Sequence, residues 1–118
     1  MKMSSTLHKT EERGGTRVPC EIPITLTSLD PAHPFSEPCR IVLVNLRGCA
    51  ASFRRSVGVG VSVSLQGLPA MTNVNGRVVN CISLGEIERL WLLGLALDEP
   101  GNVWGIPMPP EDWVQKSA

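Results

Sequence analysis

Hydrophobic and polar residues alternate one by one from Val18 to Thr27. Val18, Cys20, Ile22, Ile24 and Leu26 fall on one side, and Pro19, Glu21, Pro23, Thr25 and Thr27 on the other. A period of two sends successive side chains to opposite faces of a pleated backbone, so this stretch predicts a strand buried on one face. Pro19 and Pro23 have no N–H to donate, which predicts a free edge along part of that strand. Leu29 to Pro38, with His33 among prolines 31, 34 and 38, reads as a loop. Cys39 to Leu46 is a near-continuous apolar run centred on Ile41-Val42-Leu43-Val44. It is short and rich in β-branched residues, which predicts a buried strand. Arg47-Gly48 turns the chain into a further strand from Cys49 to Phe53.

Val57, Val59, Val61, Val63 and Leu65 then alternate with glycines, serines and Gln66, the cleanest strand pattern in the chain. Gly58 and Gly60 predict that its first part bends. Val74 to Ile82 is a further strand, with Gly76 expected as a bulge and Asn80 as a polar interruption. Gly85-Glu86-Ile87-Glu88 is a turn, and Leu90 to Leu97 a last apolar strand with Gly94 at its middle. Short strands with glycine bends and no helical periodicity between them predict an all-β fold, a small closed barrel. Closure also removes the edges on which so many apolar strands would aggregate.

Three segments follow from this pattern. Residues 1–12 are polar and aperiodic, expected as a flexible tail carrying His8. Residues 13–98 form the barrel domain together with the basic loop before its first strand. Residues 99–118 differ in kind, with Trp104, Ile106, Met108 and Trp113 among prolines 107, 109 and 110. Pro110-Glu111-Asp112 suits the first turn of one short helix. Trp104 and Trp113 are expected to cap the barrel, since buried tryptophan is chiefly a packing resource. A partner-docking surface is the alternative for them.

The chain has 118 residues, the size of one domain. A chain of that length buries roughly two thirds of its unfolded surface. Its formal net charge is zero, which removes any broad electrostatic case for nucleic acid or an anionic membrane. No apolar stretch approaches the ~20 residues that cross a bilayer, and Met1 to Thr6 lacks the apolar centre of a secretory signal. Cys20, Cys39, Cys49 and Cys81 form no C-x-x-C pair and match no zinc spacing. With no export signal expected, they read as reduced core thiols in a cytoplasm. No H-E-x-x-H, G-x-S-x-G or Walker sequence is present, and no nucleophile has an evident base beside it. The expectation is therefore no enzyme, no metal and no tightly held cofactor.

One constellation remains. Arg13-Gly14-Gly15-Thr16-Arg17 puts two arginines four apart in a segment that glycine keeps out of a helix. Two guanidinium forks held together suit an anion with many oxygens or the edge of a guanine, because each fork makes two parallel hydrogen bonds. The bland reading is a solvated basic turn. Asn45-Leu46-Arg47-Gly48 forms a second corner, between two predicted strands.

An R-x-x-x-R directly before the first strand of a small all-β domain resembles the PilZ family. That family carries a second motif, [D/N]-x-S-x-x-G, between its second and third strands, where this chain has Leu43-Val44-Asn45-Leu46-Arg47-Gly48. Leu92-Leu93-Gly94-Leu95-Ala96-Leu97 is similar to the family's closing glycine-centred strand, so the likeness spans roughly residues 11–98. It implies a six-stranded antiparallel barrel that binds cyclic di-GMP, a bacterial second messenger, and signals to a downstream protein by changing shape. Arg13 and Arg17 would clasp phosphates and guanine edges. Asn45, in the serine position, would hydrogen-bond a base or the neighbouring backbone. Gly48 would allow a tight corner and close ligand approach, and Arg47 would add a cation. Leu43 departs from the family's acid or amide. A guanine donor left unmet there costs about 1–3 kcal/mol. The family also has members that have lost the ligand and act through protein contacts, which is the alternative function. An oligonucleotide-binding barrel is disfavoured by three tryptophans, two phenylalanines and no tyrosine.

Overall fold

The alternating stretch forms strand β1, Val18–Ser28, in a computed structural model that describes residues 15–70, 73–85, 87 and 89–113. Exposure alternates along it as the sequence predicts, with Ile24 and Leu26 fully inside. Five strands follow: β2 Ser36–Val44, β3 Gly48–Phe53, β4 Ser62–Gln66, β5 Asn73–Ser83 and β6 Trp91–Leu97. All pairings are antiparallel, and the strands close into a barrel in the order β1-β2-β3-β6-β5-β4. The remaining element is a 3-10 turn at Glu111–Trp113. Among the described residues no helix is long and apolar enough to cross a membrane. The expected flexible tail, residues 1–12, lies outside the described residues.

Register explains where the prolines are tolerated. β1 pairs with β2 from Val18 to Thr27, but with β4 only from Thr25 to Ser28. Pro19 and Pro23 therefore sit where β1 has one strand neighbour, the free edge that the sequence predicts. β2 begins at Ser36, earlier than expected, and so takes in Pro38. Pro38 faces Thr25 of β1, ahead of the first β3 partner at Arg40, so the other side of the strand is open there.

Three register shifts bend the sheet round on itself: between Pro19 and Ile22, between Ile41 and Leu43, and between Val78 and Asn80. An extra residue in one strand increases local twist and lets short strands wrap. The expected bulge at Gly76 is displaced, because Gly76 keeps regular pairing to Val63 and Leu97. Its lack of a side chain serves a different end. A Cβ there would lie 2.3 Å from the carbonyl oxygen of Ala96. Asn80 faces outward, with its amide lying over Gly94.

The inward faces of all six strands make one core, with Leu26, Ile41, Phe53, Leu65 and Leu93 fully buried. Trp104 and Trp113 belong to the same core, so the segment after β6 is packed into the domain as its lid. Two backbone bonds lead it there, from Asp98 N to the Asn75 carbonyl (2.9 Å) and from Gly101 N to the Leu46 carbonyl (2.8 Å). All four cysteines are free thiols: Cys39 is buried and Cys20, Cys49 and Cys81 are half-buried. Burial pushes Cys39 up to about 12 and raises Cys20 and Cys49 in the same direction.

Candidate functional site

Pairing of Val18 with Val44 sets the start of β1 beside the end of β2. Residues 15–17 of the basic segment and the 45–48 corner therefore meet at one end of the barrel. Asn45 joins them. Its side-chain amide donates to the Gly15 carbonyl at 3.4 Å. Its Oδ1 accepts from the backbone N–H groups of Arg47 (2.9 Å) and Gly48 (3.1 Å). Its own N–H donates to the Gly48 carbonyl at 3.0 Å, closing the turn. A short amide side chain that bonds the backbone two and three residues ahead is well suited to nucleating such a corner. Asn45 is thus engaged with neighbouring backbone.

Gly48 is required by the barrel itself. A Cβ would fall 2.0 Å from the Leu95 carbonyl oxygen of β6, so the close approach here is by the neighbouring strand. Arg17 and Arg47 are both exposed at this end. Among the described residues neither forms an ion pair, whereas Arg40 pairs with Glu21 at 3.6 Å and Arg55 with Glu37. Arg13 and Gly14 lie outside the described residues. Leu43 is half-buried between Pro19 and Ala50 and presents only apolar surface.

The C-terminal segment supplies what the motifs omit. The Trp104 indole N–H donates to the Asn45 carbonyl at 2.7 Å. The Trp113 indole N–H donates to the Thr16 carbonyl at 2.6 Å. Asp112 accepts the Thr16 backbone N–H on both carboxylate oxygens, each at 3.0 Å, and the Thr16 hydroxyl at 2.7 Å. Those backbone and side-chain bonds from Thr16 hold the Asp112 carboxyl below its ordinary range. Gly15 takes φ +85°, and a Cβ there would meet Trp113 Cδ1 at 2.7 Å. The glycine therefore lets the tail close down on the segment before β1. Trp113 caps the barrel as expected, but the contacts that Thr16 makes with Asp112 and Trp113 escape detection from sequence because 96 and 97 positions separate the partners. The acidic first-turn signal at Glu111-Asp112 predicts a turn, not its docking site.

A hollow of about 210 Å³ lies at the opposite end of the barrel, between the β1–β2 and β3–β4 loops. Phe35 and Val57 line it, and the Arg55 guanidinium stands 5.6 Å from the Phe35 ring centre.

Fold and site define a small closed antiparallel barrel with a lidded end at which Arg17 and Arg47 are exposed. Comparisons with protein-family models, with curated proteins and with solved structures each returned no match.

Proposed function

We propose that this protein is a non-enzymatic cyclic di-GMP receptor that passes a change of shape to a protein partner. The observation that carries the reading is the Asn45-to-Gly15 hydrogen bond, which ties the basic segment to the 45–48 corner at one barrel end. Arg17 and Arg47 stand exposed beside that bond. Guanidinium forks match both phosphate oxygens and the O6/N7 edge of guanine. Arg13, as the first arginine of the motif, is the third cation of the proposed site. Asn45 and Gly48 shape the corner on which the dinucleotide lies. The reading belongs to a bacterial cytoplasm, with no tightly bound cofactor.

Titration calorimetry tests it. Wild type releases heat with cyclic di-GMP, and the Arg13→Ala, Arg17→Ala double variant does not. A silent wild type at high ligand concentration rejects the receptor, and binding that survives in the double variant rejects the site.

A second reading rests on Leu43 and on exposed Ile82, Leu84 and Ile87 at the end of β5 and in the turn after it. In that reading the barrel has lost the nucleotide and serves as a protein-interaction module. Apolar side chains clustered in one exposed hairpin support it. A Leu43→Asp variant that gains affinity for cyclic di-GMP favours the receptor instead.

A further inference from the structure

The segment before β1 already holds an oxyanion, and the chain itself provides it. Three polar contacts converge from the Asp112 carboxylate on the single residue Thr16, at 3.0, 3.0 and 2.7 Å. Thr16 lies inside the basic segment, between Gly15 and Arg17. Its N–H and hydroxyl are the neutral donors there that a phosphate group would use. Carboxylate and phosphodiester are both anionic, both acceptor-only and both bound by backbone N–H and hydroxyl groups. The contact is also anchored. Trp113, the next residue, is buried and fixed to the Thr16 carbonyl, and Gly15 adopts a left-handed conformation that makes room for it.

We infer that Asp112 is an internal competitor for the phosphodiester at Thr16, so that ligand binding displaces the 110–113 turn and releases Trp113. Asp112 and Thr16 are exposed, so the carboxylate can exchange with a ligand from solvent. Trp113 is 4 % exposed, so releasing it converts that exchange into loss of a core contact. The affinity for ligand is reduced by the fraction of molecules in which the site is closed. The displaced turn and the uncovered barrel end become the surface a partner reads. This inference rests on the receptor reading above.

Calorimetry with cyclic di-GMP on wild type and Asp112→Asn separates the two ideas. The asparagine keeps the size and loses the charge, and it binds the ligand about tenfold more tightly than wild type. In wild type, added ligand makes the Trp113 indole proton exchange rapidly with solvent. Equal affinities, with the indole proton still protected in the complex, overturn the inference and leave the receptor intact. Weaker binding by Asp112→Asn also overturns it, since Asp112 would then be part of the ligand site. Silence from both proteins overturns the receptor and the inference together. Should Asp112→Asn lose its fold by circular dichroism, Trp113→Phe serves instead. It keeps an apolar plug without the indole bond, and its affinity rises by a smaller factor.

Discussion

The indole nitrogen of Trp113 lies 2.6 Å from the carbonyl oxygen of Thr16, closing the last described turn of the chain onto the first described residues. Trp104 makes the matching contact to Asn45 at 2.7 Å. Each tryptophan places its ring in the core and its one polar atom on one of the two segments that make up the candidate site. An amphipathic ring is suited to that division, since a buried indole N–H needs a partner. The tail therefore holds the site segments in position as well as filling the barrel mouth.

Truncating that ring tests its structural weight. Trp113→Ala is expected to lower unfolding stability by about 3–5 kcal/mol, the usual range for removing a large buried aromatic. Trp113→Phe keeps most of the apolar area and loses the bond to Thr16, for a cost of about 1 kcal/mol. Urea unfolding followed by circular dichroism measures both. An unchanged midpoint for the alanine variant shows the ring to be dispensable.

Gly15 is the complementary test on the other side of the contact. Its φ of +85° and the 2.7 Å approach of Trp113 both exclude a side chain. Gly15→Ala is expected to cost about 1–3 kcal/mol. It also shifts Trp113 emission toward that of a solvent-exposed indole, because the docked 110–113 turn yields before the barrel does. A variant with native emission and native stability contradicts the strained-glycine account.

The barrel was legible in the sequence because its strands carry their pattern locally. Val18 to Leu26 alternates without a fault, and the prolines at 19 and 23 point to the open edge that the register places there. What escaped was non-local. Nothing in Gly76 distinguishes a bulge from a close strand crossing, since both call for glycine, and only the Ala96 carbonyl decides between them. The bulge itself falls at Val79, a residue with no turn signal at all. In the site, Asn45 and Gly48 were found through a motif. Thr16 and Asp112 were not, because a hydrogen bond across 96 positions leaves no periodicity.

Gly48 and Gly58 make a paired test of which glycines the fold needs. A Cβ on Gly48 would sit 2.0 Å from backbone oxygen of β6, which no rotamer change relieves. Gly48→Ala is expected to cost about 3 kcal/mol or more, through forced separation of β3 and β6. At Gly58 the nearest neighbour is Val61 Cγ2 at 3.8 Å, ordinary contact, and φ lies outside the left-handed region. Gly58→Ala is expected to be neutral or to stabilise by up to about 1 kcal/mol, through lower entropy of the unfolded chain. Equal effects in thermal unfolding refute the distinction.

Acid should undo the tail before the barrel. Hydrogen bonds from Thr16 favour ionised Asp112 and lower its folded pKa. The contribution is therefore complete above the unfolded carboxylate value near ~3.9, and is lost as pH falls through the folded value. Both groups are exposed, so the effect is confined to local docking and is weakened by salt. Trp113 emission is expected to change below about pH 4, while the strand signal in circular dichroism persists. In Asp112→Asn that acid transition disappears. If it persists unaltered, some other group closes the tail.

The thiols set the alkaline limit. Burial raises Cys39 from 9.0 to about 12, because a thiolate has no water to solvate it inside the barrel. Below pH 9 both folded and unfolded chains keep the proton and the contribution of the neutral thiol is complete. Between 9 and about 12 the unfolded chain ionises while the folded one does not, so stability drains away as pH rises through that window. Cys20 and Cys49 shift in the same direction, so the comparison must be made against a single replacement. Cys39→Val removes one ionisable group at similar volume. Its urea midpoint is expected to fall less than that of wild type between pH 8 and 10.5. In the folded wild type Cys39 should also resist a thiol-labelling reagent that modifies it in urea. Identical alkaline slopes for the two proteins, or rapid native labelling of Cys39, would mean that its thiolate is tolerated inside the barrel.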